Sequence, residues 1–220
     1  MPSGADILGV FGGTFDPVHF GHLRLAEEAR QDLGLPQVRW IPAGQPPHRQ
    51  VPQVTARHRL DMVRLAVAEN AAFSVDPAEV EAERPSFSVP TLERLRTEVG
   101  ERRPLVLLLG ADAFAGLSTW HRWRELLELA HLGVAHRPGY TIDAENLPPE
   151  LADLYLARSS DDAAVLAAAP AGRVVTFPMT PLAISATRVR QLLVDGRSPR
   201  YLIPDSVIAY IQRHNLYQRL

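Results

Sequence analysis

The sequence predicts an open, doubly wound α/β fold with a parallel sheet, and three observations predict it. Apolar runs of strand length alternate along the chain with longer segments of helical period. The strongest run, Leu105 to Leu109, is continuously apolar, as suits a strand that is covered on both faces. The 220 residues are 46% hydrophobic and 22% charged, which is an ordinary globular composition. We expect a single domain over residues 1–220, with residues 185–220 as a C-terminal helical part.

Each predicted strand is a short apolar run, bounded in most cases by glycine or proline. In chain order the predicted strands cover residues 7–11, 38–41, 73–75, 105–109, 132–135 and 174–177. The first leads into a pair of glycines, Pro42 closes the second, and the fourth lies between Pro104 and Gly110. Ligands of such sheets lie beyond the carboxyl ends of the strands, so the residues that follow each strand are the candidate functional residues.

The segments of helical period lie between and after these strands. They cover approximately residues 21–33, 55–69, 91–99, 120–129, 185–195 and 204–214. In the second of them Leu60, Val63 and Val67 share one buried face, because they are spaced by three and four residues. Thr55 is a suitable N-cap for this helix, and Asn70 is a suitable stop.

Two segments interrupt the alternation of strands and helices. Residues 43–54 are rich in proline and glutamine, which predicts a surface loop. Residues 144–172 are acidic and rich in alanine, and their leucines indicate an added helix. The sequence shows no internal repeat.

Charge and composition exclude several classes of function. The chain has 23 basic and 25 acidic residues, a net charge of −2, so no overall basic field predicts binding to nucleic acid or to a membrane surface. Cysteine is absent, which excludes disulfides, thiolate metal sites and cysteine nucleophiles. No apolar run approaches the roughly 20 residues of a membrane-spanning helix, and no secretory signal is evident. We expect a soluble, cytoplasmic protein.

The segment after the first strand carries the clearest functional pattern. It reads Gly12-Gly13-Thr14-Phe15-Asp16-Pro17-Val18-His19-Phe20-Gly21-His22. Paired glycines let the backbone approach a ligand and turn its amides toward it. His19 and His22, at the start of a helix, add two imidazoles to those amides, and this combination predicts a polyphosphate site. A zinc site would need further ligands, and Asp16 fits a simple turn equally well.

A second pattern opens the helix predicted at 185–195. Ser185 is a suitable N-cap, which any helix would favour, while Thr187 and Arg190 share one face beside the free amides. Basic residues in a first turn oppose the helix dipole, and a bound polyphosphate would resolve that conflict. We therefore expect the two separated segments to converge on one triphosphate.

With these residues in view, the sequence resembles the bacterial nicotinate mononucleotide adenylyltransferases of the nucleotidyltransferase superfamily. The resemblance runs over nearly the whole chain and is carried by the motif from Gly12 to His22, by Ile184 to Arg190, and by weaker matches between them. It implies a Rossmann-like fold of the nucleotidyltransferase type. It also implies Mg²⁺-dependent transfer of AMP from ATP to nicotinate mononucleotide, giving deamido-NAD and pyrophosphate. Since no metal-binding carboxylate cluster stands out in the sequence, we expect the ATP phosphates to hold most of the Mg²⁺ coordination and no residue as a metal ligand.

The resemblance also implies roles for individual residues. The catalytic residues would be His19, His22 and Arg190. The residues that bind ATP would be Gly12, Gly13, Thr14, Phe15, His19, His22, Gly110, Asp112, Ser185, Thr187 and Arg190. The residues that bind nicotinate mononucleotide would be Thr91, Trp120, His121 through its backbone amide, Arg137 and Arg49. Arg49 is a departure, because the family usually has lysine there, and arginine offers a bidentate fork instead of a point charge.

Other interpretations stay open from the sequence. Trp120 and Trp123, three apart on a predicted helix, also fit ordinary packing, and Thr91 also fits an ordinary helix start. The nearest alternative is another adenylyl- or cytidylyltransferase of the superfamily, such as one that acts on phosphopantetheine. Trp120 with Arg137 argues against it, because a planar pyridine favours an aromatic partner. A class I aminoacyl-tRNA synthetase would need a longer chain. A non-catalytic nucleotide sensor would tolerate loss of either histidine of the first motif or of Arg190, yet all three residues are present.

Overall fold

A computed structural model describes residues 6–47, 51–82 and 84–218 of the chain. Within these residues, seven strands form one sheet in the order β3-β2-β1-β4-β5-β7-β6. The strands are β1 (Leu8–Gly13), β2 (Gln37–Pro42), β3 (Phe73–Val75), β4 (Leu105–Gly110), β5 (His131–His136), β6 (Ser159–Ser160) and β7 (Val174–Pro178). The pairs β1–β4, β4–β5, β5–β7 and β6–β7 are parallel. The predicted doubly wound α/β fold is confirmed, and the two-residue edge strand β6 is an addition to it.

Helices connect and follow the strands. They are α1 (Phe20–Asp32), α2 (Ala56–Val67), α3 (Ala78–Glu81), α4 (Ser88–Val99), α5 (Ala111–Ala115), α6 (Leu126–Leu129), α7 (Pro149–Arg158), α8 (Val165–Ala168), α9 (Ala186–Val194) and α10 (Asp205–Arg213). The helix expected within residues 144–172 is present as α7. Helix α4 begins three residues before the predicted start, because Pro90 lies in its first turn, where a missing amide donor costs nothing.

The helix predicted over residues 120–129 is wrong in its first half. Trp120 has extended backbone at φ −78° and ψ 148°, and Arg122 has the left-handed conformation at φ 57°. A 3₁₀ turn at Trp123–Glu125 then leads into the four residues of α6. The two tryptophans therefore share no helix face. The apolar spacing does form a helix from Leu126, but the residues before it form local turns that are closed by backbone hydrogen bonds.

The described chain groups into two compact units. The first unit comprises the residues up to Phe11, Leu25–Arg39 and Phe87–Pro181. Its core is built on β4 and β5, whose side chains are buried from end to end except at their last residues. Glu28 is buried in this unit, and its carboxylate accepts hydrogen bonds from the backbone amide and the hydroxyl of Thr180 at 2.7 and 2.6 Å.

The second unit comprises Gly12–Arg24, Trp40–Ser86 and the residues from Leu182 onward. Helices α2 and α10 pack together in it. The α2 helix begins as predicted, because the Thr55 hydroxyl accepts a hydrogen bond from the amide of His58 at 3.4 Å. The buried face of α10 is apolar and consists of Val207, Ile208 and Ile211. None of the helices within the described residues combines the length and the apolar content that a bilayer crossing demands.

Candidate active site

The two histidines of the first motif stack face to face. Their ring centroids lie 3.6 Å apart with an angle of 17° between the planes. The backbone amide of His19 donates a hydrogen bond to Nδ1 of His22 at 3.2 Å. In the neutral His22 ring, Nε2 therefore carries the proton and is a hydrogen-bond donor.

His19 is buried, with 6% of its surface exposed. Its Nδ1 atom has no hydrogen-bond partner among the described residues. Burial lowers the pKa of His19 to about 4, because a charged imidazolium would lose its hydration there, although a backbone hydrogen bond opposes the shift. His19 is consequently neutral near pH 7.

Gly21 lets the first motif approach the second. A Cβ atom at this position would lie 3.0 Å from Nδ1 of His19 and 3.8 Å from the carbonyl oxygen of Ile184. The first distance is shorter than side chains normally tolerate, so a larger residue would displace the His19 ring. The second distance shows that Ile184, at the start of the second motif, is an immediate neighbour.

The ring of Phe15 packs against the glycine turn and against His22. Gly13 ends β1, and a Cβ atom there would lie 2.8 Å from the Phe15 ring. Phe15 is buried, with its ring 5.3 Å from Trp40 and edge-on to His22 at 5.1 Å. Its side chain therefore supports His22 and does not face solvent, while Gly12 is exposed and Gly13 and Thr14 are half-buried.

The second motif is anchored on the first by Arg190. The Ser185 hydroxyl caps α9 by accepting a hydrogen bond from the amide of Arg188 at 3.2 Å. Nη2 of Arg190 donates to the Thr187 hydroxyl at 3.3 Å, and Nη1 donates to the carbonyl oxygen of Asp16 at 2.7 Å. The two motifs thus meet within the second unit, as their residue types predicted.

The Asp16 carboxylate is buried and held by uncharged donors. Oδ1 accepts a hydrogen bond from the Tyr217 hydroxyl at 2.7 Å, and Oδ2 accepts one from the amide of Gln53 at 2.9 Å. Nη1 of Arg190 lies 3.9 Å from Oδ2. Asp16 is therefore more than a turn residue, because it joins the first motif to the C-terminal segment.

Arg59 is a site residue that the sequence reasoning missed. Only 1% of it is exposed, and it donates hydrogen bonds to the carbonyl oxygens of Thr14 at 2.7 Å and Gly44 at 2.9 Å. The guanidinium therefore fixes the backbone of the first motif. The sequence did contain a sign of this role, because Arg59 lies four residues before Val63 on the apolar face of α2. A charge on such a face needs hydrogen-bond partners.

Three expected ligand residues lie after strands of the first unit. Gly110 ends β4 and precedes α5, whose first turn holds the exposed Asp112. Arg137 follows β5 directly and is exposed. Gly110 is in register with Ala135 of β5, so these residues share the carboxyl edge of the sheet in this unit.

Three of the residues expected to hold the acceptor, Thr91, Trp120 and His121, lie in α4 or in the segment that contacts its start. Thr91 is buried in α4, Trp120 is half-buried, and His121 is exposed. The His121 ring lies 4.5 Å from that of Phe87, the residue that precedes α4, and the amide of Thr91 donates to the Phe87 carbonyl oxygen. The first unit therefore brings Thr91 and the 120–121 segment into one neighbourhood. Arg49 lies outside the described residues.

The described side chains offer phosphate-binding groups and no metal cage. Within residues 6–47, 51–82 and 84–218, no three histidine or carboxylate side chains are grouped to hold a metal ion. The chain contains no lysine, so arginine and histidine are its cationic side chains. This donor set fits a divalent ion that is carried by the phosphates of a nucleotide.

Comparison with known proteins agrees with this chemistry. Residues 10–192 match the family model described as Cytidylyltransferase-like. A Dechloromonas aromatica (strain RCB) protein named probable nicotinate-nucleotide adenylyltransferase is 65% identical, covering 96% of this chain and 97% of that protein. A protein of the same name from Pseudomonas putida KT2440 is 50% identical, covering 96% of this chain and 90% of that protein.

Solved structures give the same fold at low identity. The Plasmodium falciparum nicotinic acid mononucleotide adenylyltransferase complexed with NaAD has a TM-score of 0.69 and 14% identity to this chain, covering 96% of it and 97% of that chain. The same enzyme complexed with APC has a TM-score of 0.67 and 15% identity, with the same coverage. At these identities the likeness shows the fold alone.

Proposed function

The chain belongs to the nicotinate-nucleotide adenylyltransferase family, and on that premise we propose how its residues divide the work of the reaction. The reaction moves AMP from ATP to nicotinate mononucleotide and yields deamido-NAD and pyrophosphate, a step in NAD biosynthesis. We assign the triphosphate to the histidine and arginine motifs of the second unit. The first unit supplies residues for the ribose of ATP and for the acceptor nucleotide. A cytoplasmic location stays a prediction.

The chemistry requires positioning and charge stabilisation more than proton transfer. A phosphate oxygen of the acceptor attacks the α-phosphorus of ATP in line, a new P–O bond forms, and the bond to the β-phosphate oxygen breaks. Since the attacking phosphate is already ionised, no general base must remove a proton. Catalysis then consists of holding two anions in line and stabilising the charge that develops on the departing pyrophosphate.

The observation that supports the triphosphate site is the hydrogen bond from Arg190 to the Asp16 carbonyl oxygen at 2.7 Å. It holds the Arg190 guanidinium beside the first motif, where His22 presents a ring N–H because its Nδ1 is occupied. His19 is neutral, so it adds an imidazole to the proposed triphosphate site without burying a charge. Ser185 and Thr187 lie at the N-terminus of α9, whose free amides and dipole favour an anion.

The first unit supports the remaining assignments through residue placement. Asp112, exposed beyond β4, is suited to accept hydrogen bonds from ribose hydroxyls, with Gly110 beside it. Trp120 offers an aromatic face for the pyridine ring, and Thr91 with the His121 amide offers donors for its carboxylate. Arg137 is exposed for the acceptor phosphate. We assign Arg49 to the acceptor by resemblance only.

A divalent ion accompanies the nucleotide in this proposal. The described residues fit an ion that is held by the ATP phosphates, because they provide no carboxylate cluster of their own. When bound, such an ion neutralises phosphate charge. We infer Mg²⁺, the usual companion of ATP.

Release of pyrophosphate from ATP, Mg²⁺ and nicotinate mononucleotide tests the function. We expect release by the wild-type protein, and a loss of about 10²-fold or more in kcat for His22→Ala, the size expected for one removed transition-state donor. His214→Ala is the matched control, because His214 is exposed and packs on Tyr210 outside the site. Release with phosphopantetheine instead, or with neither acceptor, would contradict the function. Full activity of His22→Ala would remove that residue from the site.

A further inference from the structure

We propose that Tyr217 is a positioning residue that keeps the Asp16 carboxylate from pairing with Arg190 and so leaves the guanidinium available to phosphates. This inference rests on the proposed role of Arg190 and deepens it. Tyr217 itself touches no substrate in this account. It acts through the two residues that join the first and second motifs.

The distances show a carboxylate at the outer limit of an ion pair with Arg190, with no direct hydrogen bond between the two groups. Both oxygens of Asp16 are occupied, one by the Tyr217 hydroxyl at 2.7 Å and the other by the Gln53 amide at 2.9 Å. Arg190 approaches Oδ2 only to 3.9 Å, beyond hydrogen-bond distance, and directs Nη1 to the Asp16 carbonyl oxygen instead. The guanidinium is thus oriented by a carbonyl oxygen, and the carboxylate does not close on it.

The second buried arginine does not satisfy the carboxylate either. Arg59 directs its two terminal nitrogens to the carbonyl oxygens of Thr14 and Gly44. The Asp16 carboxylate therefore accepts its hydrogen bonds from two uncharged donors, although the guanidinium groups of Arg190 and Arg59 both attract it electrostatically. Burial, followed by the charge of Asp16, raises the pKa of the Tyr217 phenol, so its hydroxyl stays protonated and keeps donating.

Loss of this one hydroxyl would release the carboxylate toward Arg190. In Tyr217→Phe the ring still fills its buried position, but Oδ1 of Asp16 loses its donor. A buried carboxylate oxygen without a partner is costly. Nη1 of Arg190 is already 3.9 Å from the other oxygen, and Nε of Arg190 has no partner among the described residues. An arginine–carboxylate pair is strong, so it would form at the expense of phosphate binding.

Calorimetric titration with pyrophosphate measures this effect directly. We expect the Kd of Tyr217→Phe to rise roughly tenfold, the size of one lost charge-assisted contact. The matched control is Tyr210→Phe, because that hydroxyl also donates to a carboxylate, Asp61 at 3.2 Å, but outside the site. Its Kd should equal that of wild type. Partial unfolding would also raise the apparent Kd, so circular dichroism of the same sample should show that Tyr217→Phe is fully folded.

A double-mutant cycle separates positioning from packing. In the Asp16→Asn background an amide cannot form an ion pair with Arg190, so adding Tyr217→Phe should change the Kd by less than about twofold. An equal weakening in both backgrounds, or a wild-type Kd in Tyr217→Phe, would overturn the inference. Should Asp16→Asn fail to fold by circular dichroism, the cycle is repeated with Arg190→Gln, where Tyr217→Phe should again add nothing. A wild-type protein that binds no pyrophosphate would contradict the proposed function instead.

Discussion

Acid should destabilise this protein partly through one residue, His19, and replacing that residue should remove the effect. Burial lowers the pKa of His19 from 6.5 to about 4. In the unfolded chain the imidazole is solvated and recovers its ordinary pKa. Between the two values the unfolded chain binds a proton that the folded protein does not. Stability therefore falls as the pH drops through that window, and the contribution is fully present only above pH 6.5.

The size of the effect follows from the difference between the two pKa values. Each unit is worth about 1.4 kcal/mol, so the whole window is worth about 3 kcal/mol. At about pH 4.5 roughly 2.5 kcal/mol of it has been lost, because folded His19 is then still mostly neutral. In His19→Asn the side chain cannot take up a proton. The free energy of unfolding of this variant should fall less with acid than that of wild type, by about this amount.

Urea unfolding at several pH values between about 4.5 and 7 gives the two curves, and their difference isolates His19 from the carboxylates that titrate in both proteins. The ring can also be followed by NMR, where the His19 titration should have its midpoint near pH 4. Parallel curves for wild type and His19→Asn would refute the reasoning. The imidazole would then be as easily protonated in the folded protein as in the unfolded chain.

Two further predictions concern the support of the first motif. Arg59→Met should lower the free energy of unfolding by about 3 kcal/mol, because the carbonyl oxygens of Thr14 and Gly44 both lose a charged donor. Arg57→Met, at an exposed residue with a long ion pair to Asp61, should change it by less than about 0.5 kcal/mol in the same urea experiment, and equal effects would contradict the role of Arg59. Gly44→Ala should cost about 2 to 3 kcal/mol, because a Cβ atom there would overlap the backbone of Glu79. Gly116→Ala, whose Cβ atom would meet Asp112 at an ordinary 3.7 Å, is the control in thermal unfolding, and a similar loss there would show that Gly44 is not special.

The sequence allowed the strands to be predicted and the two motifs that meet in the second unit to be recognised, because both are local patterns. A continuous apolar run such as β4 needs no distant information, and neither does a glycine pair followed by two histidines. The helix predicted from Trp120 was wrong in its first half, because the left-handed conformation of Arg122 interrupts an apolar spacing that otherwise favours a helix. Such a choice depends on tertiary contacts that no local pattern records.

The network around Asp16 was out of reach for a related reason. Tyr217 and Asp16 lie 201 positions apart, so their hydrogen bond has no signature in spacing. From the sequence, Asp16 had two equal interpretations, and its burial and hydrogen bonds decide between them. Arg59 could be noticed in the sequence as a charge on an apolar helix face. That pattern predicts that the guanidinium has hydrogen-bond partners but does not identify them.

On the proposed assignment of the triphosphate to the two motifs, the groups that would face it repel one another little. His19 is neutral because it is buried, and Arg59 is turned into two backbone carbonyls. Arg190 belongs to the second motif and donates a hydrogen bond to the Asp16 carbonyl oxygen of the first. The Asp16 carboxylate accepts a hydrogen bond from the Tyr217 hydroxyl instead. On the same assignment, the neutral donors are already aligned and need no reorganisation when charge moves to the leaving group.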